Sequence, residues 1–358
     1  MPNIVLIDDI QKNLTELYDA IVAGLAERDL EVRTWLPSSD DRNAQESFAQ
    51  HVDGDTILVV TDYDLTSGGK TGLFGSTIVD WCNRRLTPVG DYSRGNRAKL
   101  PKEPDQYEIR VPQDTAVAAQ FILSVFDGFN AIRVALNSNW TRLSQKRSPA
   151  AILADILGRP LEESRLALYG VKIGAPNSSL MESISQGDNV EIEKQRFIGY
   201  IIGHLLLNVI LRFPGSIIDC EALAAFLAVN KSEMQSLKKT FASAIYNGPF
   251  ASTEPLYWLS DVEGILESLQ NGSETDDPAT IGKVNRHILE NALKRKFTLH
   301  DCPRCHGEEG GFICAFTHKT VCLRSDCSVA SNAWIPQGAR LCRIEKTYYD
   351  EWAPMLGF

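Results

Sequence analysis

Residues 3–9 read NIVLIDD, and residues 56–65 read TILVVTDYDL. Each stretch is a short unbroken run of aliphatic and β-branched side chains that stops at an acid. Such runs are too short for a helix and lack the alternation of a half-exposed strand, which is the pattern of a strand buried on both faces of a parallel sheet. In open sheets of that kind functional groups collect at the carboxyl ends of the strands. Asp8, Asp9 and Asp62 are therefore expected to meet at one rim.

Reading outward, Leu14, Leu17, Tyr18, Ile21, Val22 and Leu25 recur at helical spacing after the first run. Residues 31–36 read as a second strand, 56–61 (TILVVT) as a third, 77–83 as a helix, 87–92 as a fourth strand, 107–111 as a fifth and 116–135 as an amphipathic helix. The expected fold class is α/β, a doubly wound five-stranded parallel sheet over residues 1–136. Beyond it the pattern turns to helices alone. Residues 137–148 (NSNWTRLSQKRS) and 271–280 (NGSETDDPAT) read as breaks. They delimit an all-α domain over residues 149–297 and a small Cys- and Gly-rich β module over 298–358.

The chain has 358 residues, 44% hydrophobic and 23% charged, with a formal net charge of −10. That composition fits a globular chain of two or three domains and excludes a fibrous or wholly disordered one. The acidity is concentrated in residues 1–135, with 13 basic and 21 acidic side chains. A surface that binds nucleic acid all over is thereby excluded, whereas a local basic patch is not. The N-terminal residues lack the basic start of a secretory signal. The longest apolar run, residues 197–211, is too short to span a bilayer and carries His204 and Asn208. A cytoplasmic protein with no membrane partner is expected.

Three carboxylates within a few ångströms repel one another, so a cation is the expected neutraliser, Mg²⁺ before others because of its preference for oxygen ligands. The alternative for each acid taken singly is that it caps the helix that follows. The combination resembles the receiver domain of bacterial response regulators. In that family an acid pair after the first strand and an aspartate after the third hold Mg²⁺, and the latter accepts a phosphoryl group from a histidine kinase. The resemblance implies Asp8 and Asp9 as the pair, Asp62 as phosphoacceptor, and Asp64 at the position whose main-chain carbonyl reaches the metal. It implies Ser93, 31 residues after Asp62, as the hydroxyl contacting phosphoryl oxygens, and residues 72–75 (GLFG) as the turn before the third helix.

One position departs from the family pattern. Receivers carry Lys followed by Pro after the fifth strand, whereas this chain has Arg110, Val111 and Pro112. Either Arg110 replaces the lysine or the usual cation is missing, and the two side chains are not interchangeable. The SGGKT of residues 67–71 looks like the end of a phosphate-binding loop, but Asp64 stands where its first glycine belongs.

Six of the eight cysteines fall between positions 302 and 342. Cys302 and Cys305, then Cys322 and Cys327, give C-x2-C and C-x4-C pairs sixteen residues apart, the spacing of a closed tetrahedral Zn²⁺ site. The segment looks like a zinc ribbon, with a hairpin over residues 310–321 and a metal that serves folding rather than catalysis. His306, Cys314 and His318 are reserve ligands and Cys342 the least favoured. Unligated buried cysteines are the alternative. Residues 219–241 place Leu223, Ala224, Leu227, Val229, Met234 and Leu237 as in a helix-turn-helix, with Lys231, Gln235, Lys238 and Lys239 outward. Plain packing of a helical hairpin explains the same pattern.

The expected function is a phosphoacceptor of a two-component phosphorelay. It would act as a signalling intermediate, adaptor or phosphate sink with no separate enzymatic output, in a setting that can include phage defence. Its expected partners are a histidine kinase and a second receiver or effector, with homodimerisation compatible. The alternative is a DNA-binding response regulator using residues 219–241.

Overall fold

The computed structural model describes residues 1–26, 28–37, 43–66, 73–93, 107–170, 190–251, 254–270, 281–307, 310–330 and 334–356. The SGGKT stretch, Gly72 and the 271–280 break lie outside these. The chain divides into two compact units, Met1–Pro149 with Ser179–His204, and Ala150–Ser178 with Leu205–Phe358.

The first unit is built on β1 (Asn3–Ile7), α1 (Gln11–Ala23), β2 (Glu31–Trp35), α2 (Ala44–His51), β3 (Thr56–Thr61), α3 (Gly75–Arg84), β4 (Val89–Asp91), β5 (Ile109–Arg110) and α4 (Thr115–Leu143). All five strands are parallel, in the order β2-β1-β3-β4-β5. Every residue of β1 and β3 is buried, which is why their sequences carry no alternation. Val5, Ile7 and Val59 face Trp35 of β2, Phe48 of α2, and Ile78 and Cys82 of α3. On the other face α1 and α4 pack against each other and onto β1 and β3.

Two helices owe their starts to side-chain caps. Asn43 accepts from the amides of Gln45 and Glu46 at the head of α2, and Asp114 from those of Ala116 and Val117 at the head of α4. By length and composition α4 could cross a bilayer, but Ile122, Phe126, Phe129, Ile132 and Leu136 are buried in this unit. That gives its apolarity a packing role.

The expected linker at 137–148 does not form as such. α4 runs on to Leu143 with a single non-helical residue, Asn139. The domain boundaries differ too, because the Val190–His204 helix belongs to the first unit and packs along α4. The Cys-rich tail shares one unit with the preceding helices. It joins them through an antiparallel bridge from Val229 to Leu299 and through hydrogen bonds from His300 to the Ala228 carbonyl and from Gly311 to that of Ala225.

In this second unit β6 (Ile217–Ile218) pairs antiparallel with β7 (Tyr257–Trp258). β8 (Phe312–Cys314), β9 (Thr320–Val321), β10 (Ser328–Val329) and β11 (Cys342–Glu345) form a sheet in the order β10-β11-β8-β9. The hairpin expected over 310–321 is β8 with β9, registered Phe312 to Val321 and Ile313 to Thr320.

Phe48 is wholly buried and meets Trp35 and Trp81 at ring-centroid distances of 6.1 and 5.3 Å. Phe48→Ala is expected to destabilise the fold by about 3–5 kcal/mol, read as a lowered urea midpoint for the first unit.

Candidate functional site

The parallel ladder carries on one residue past the strands. The amide of Asp62 donates to the Ile7 carbonyl at 3.1 Å, that of Tyr92 to Thr61 at 2.9 Å, and that of Val111 to Asp91 at 2.9 Å. These bonds fix where each chain leaves the sheet, so Asp8, Asp9 and Asp62 exit side by side. Carboxylate oxygens of the three lie within 4.8 Å of one another. The predicted acid cluster is thus assembled.

Asp8 and Asp9 are each 6% exposed, while Asp62 is more open. Asp8 accepts from the Ile10 amide at 2.7 Å, and Asp62 from the Tyr63 amide at 2.7 Å. Burial, followed by the charge of Asp8, pushes the Asp62 carboxyl up to about 6, against the hydrogen bond from Tyr63. Gly75 at the start of α3 lies so close to this loop that a Cβ there would sit 2.4 Å from the Asp62 carbonyl oxygen. Any larger residue must push the loop away. That is the structural reason for the glycine in the turn before the third helix.

The other predicted residues are placed less centrally. The Asp64 carboxylate turns back into its own loop, accepting from the Thr66 amide at 3.1 Å and from the Thr66 hydroxyl. Ser93 is buried two residues past β4, and its carbonyl accepts from Gln113 at 3.1 Å. Arg110 closes β5 opposite Asp91 and donates from Nε to Glu108 at 2.7 Å.

In the second unit Cys302, Cys305, Cys322 and Cys327 bring their sulfurs within 4.8 Å of one another. Cys305 Sγ and Cys322 Sγ are 3.6 Å apart. That is far beyond a disulfide bond and near the edge of about 3.8 Å of a sulfur tetrahedron around zinc, given Zn–S of about 2.3 Å. The four cysteines can hold a metal such as zinc. The first turn is tied by hydrogen bonds from Cys302 N to Gly307 O and from His306 N to Cys302 O, the second by Cys327 N to Arg324 O. The Cys305 thiol lies at about 7. Burial opposes ionisation there, but the Gly307 amide and the neighbouring thiols outweigh it.

The reserve ligands stand aside. His306 faces Asp301 at 3.3 Å, Cys342 donates to the Pro214 carbonyl at 3.6 Å, and neither Cys314 nor His318 belongs to the cluster.

The 219–241 segment forms a helix at Cys220–Phe226, then a single 3-10 turn at Lys231–Glu233 and a helix of four residues at Met234–Leu237. Its six expected core residues are all buried. Ala228 takes the left-handed turn conformation with φ of 50°, where a glycine would be unstrained. Lys231 is paired with Glu221. His204 is wholly buried among Tyr107, Phe129 and Tyr200, and burial lowers it to about 3, so its ring is neutral.

No protein-family model, curated protein or solved structure matches the chain.

Two outcomes follow from this geometry. Asp62 titrates higher folded, at about 6, than unfolded, so its stabilising protonated form is lost as pH rises through about 6. A divalent cation replaces that proton. Mg²⁺ should therefore raise the melting temperature clearly at pH 7.5 and hardly at pH 5, and its affinity should climb up to about pH 6 and then level off. Separately, one zinc equivalent per chain is expected by metal analysis. Stripping it with a chelator, or Cys322→Ser, should melt the β8–β11 sheet, read by hydrogen exchange of the Ile313 and Ile344 amides.

Proposed function

We propose that the first unit is a receiver-like phosphoacceptor that takes a phosphoryl group on Asp62 from a phosphohistidine of a histidine kinase. The observation that carries the reading is the convergence of Asp8, Asp9 and Asp62 at the carboxyl rim of a five-stranded parallel sheet, with Asp62 the most accessible of the three. Mg²⁺, held by the three carboxylates, would supply charge neutralisation for the equatorial phosphoryl oxygens.

The remaining work belongs to this chain's own groups. The Asp62 carboxylate attacks phosphorus in line. The P–N bond to the donor imidazole breaks as the Asp62 O–P bond forms, and the imidazole, which carries a proton on its other ring nitrogen before transfer, keeps the P–N electron pair and leaves as the neutral ring. At pH 7 Asp62 is mostly ionised and ready to act as nucleophile, because about 6 is below 7. Ser93 and Arg110, at the ends of the next two strands, are the groups assigned to the added phosphoryl oxygens. Arg110 already shares its fork with Glu108. A new dianion at Asp62 would compete with Glu108 for that guanidinium and so pass the charge on to β5.

The output we propose is docking on a partner, as a signalling intermediate or phosphate sink, rather than DNA reading. The short second helix near 231–237 supports that choice, since a recognition helix needs length to lie in the major groove. Incubation with acetyl phosphate and Mg²⁺ should add about 80 Da, one phosphoryl group in place of a proton, to the intact mass. The adduct should be absent from Asp62→Asn. No mass gain in the parent chain, or an equal gain in Asp62→Asn, overturns the proposal.

A further inference from the structure

The opposite rim of the same sheet holds an open cleft of about 690 Å³. It lies entirely within the first unit, between the α2–β3 turn, the α3–β4 turn, α4 and the Val190–His204 helix. β3 begins at this cleft with Thr56 and ends beside Asp62. The two places are thus about 17 Å apart along the strand at about 3.3 Å per residue, and the cleft is no part of the acid site.

Four arginines line it: Arg84, Arg85, Arg133 and Arg196. Arg196 has a single hydrogen bond among the described residues, a long one of 3.4 Å to the Gly54 carbonyl. Arg133 reaches that same carbonyl at 3.5 Å and Asp55 at 3.6 Å. Both guanidiniums therefore keep most of their five N–H donors for something else. A Cβ at Gly54 would fall 2.7 Å from Arg196 Nη2, so any other residue there would make this guanidinium shift.

The acids of the lining cancel only part of this charge. Asp53 is held by Arg33, outside the cleft, at 2.6 Å and by the Asn3 amide group at 3.2 Å. Arg33 and these hydrogen bonds outweigh burial and keep its carboxyl far below the usual range. Asp55 is shared between the Met1 ammonium, at 3.3 Å, and Arg133. Arg84 is paired with Asp80 at 3.0 Å and Arg85 donates to the Val52 carbonyl at 2.8 Å, so the guanidiniums left to face the cleft are those of Arg133 and Arg196, with Glu193 the third acid of the lining. Apolar surface from Ile57, Phe129, Leu136 and Tyr200 completes the lining.

Convergent guanidiniums with spare donors, beside aromatic and aliphatic surface, suit an anion that carries an organic body. The volume falls in the range of about 300–1,000 Å³ typical of small-molecule sites. We propose that this cleft binds a phosphorylated small molecule of nucleotide size, its phosphates on Arg133 and Arg196 and its body against Phe129 and Tyr200.

The test uses the full chain and a fluorescent N-methylanthraniloyl ADP, with unlabelled ADP, adenosine, inorganic pyrophosphate and poly-glutamate as competitors. Saturable binding is expected, displaced by ADP and unaffected by adenosine. Pyrophosphate should compete at least tenfold more weakly than ADP. Arg196→Gln and Arg133→Gln should each weaken binding about tenfold or more. Arg196 is exposed, so its replacement leaves the fold intact, as an unchanged melting temperature will check. Asp62→Asn should bind as the parent does. Absence of saturable binding, equal affinity in Arg196→Gln, or loss of binding in Asp62→Asn overturns the proposal. So does competition by pyrophosphate or poly-glutamate as strong as that by ADP, which would mean a bare anion or an acidic peptide surface.

Discussion

Three carboxylates share a few ångströms at the edge of a sheet whose two central strands are buried throughout, and their mutual repulsion sets the terms for the first unit. At a separation of about 5 Å and an effective dielectric of about 20, one such pair costs about 3 kcal/mol when both are ionised. That is a large part of a typical folding free energy of about 5–15 kcal/mol. The ladder resists the repulsion because Asp62, Tyr92 and Val111 are each tied by a main-chain hydrogen bond to the neighbouring strand. Geometry that cannot relax leaves two remedies, a proton or a cation. Burial, and after it the charge of Asp8, raises the Asp62 carboxyl to about 6, which favours the first remedy. The hard oxygen donors are suited to the second.

This site was readable in sequence because both of its signals are local. An unalternating apolar run ending in acid means a buried strand with a functional tip, and the three acids at the carboxyl ends of β1 and β3 come together because these parallel strands are direct neighbours. The TILVVT run marks β3 at its observed bounds, Thr56–Thr61. α2 was not, because of its eight residues only Phe48 is buried, and one buried position makes no period. The 137–148 stretch misleads for the opposite reason. Polar residues 137–148 signal a break, yet the helix begun at Asp114 continues to Leu143, since nothing in that stretch forbids helical geometry. The arginine cleft left no local trace, as its four cations come from α3, the α3–β4 turn, α4 and a helix beginning at Val190.

The second unit solves a different problem. Strands of two to four residues bury too little to hold a sheet unaided, and a metal such as zinc on the four thiols gathered from two turns would compensate by fixing the chain at Cys302–Cys305 and again at Cys322–Cys327. The spacing made this legible. What spacing could not show is that the tail is no separate module. Gly310 packs so tightly on Ala225 and Ala228 that a Cβ would lie 2.8 Å from the Ala225 carbonyl oxygen. The Ala228 turn, with its left-handed residue, is therefore packed against the tail, and Leu223, Leu227, Val229, Met234 and Leu237 around it are core.

The charge polarity of the first unit has one origin in its topology. In a parallel α/β sheet each helix starts at the carboxyl rim and ends at the amino rim, so helix N-termini, which favour anions, border one edge, and C-termini, which favour cations, border the other. α1 starts just after Asp8 and Asp9, and α3 starts against the loop of Asp62. At the far rim α3 ends in Arg84 and Arg85, and Arg85 donates at 2.8 Å to the carbonyl of Val52, which caps α2. Acids gathered at one end of β3 and guanidiniums at the other are thus two consequences of one winding direction. A dianion added at Asp62 would fall among helix starts that stabilise it, whereas an anion in the cleft would face helix ends that repel it. The cleft therefore depends on its arginines far more than the acid rim depends on any single cationic side chain.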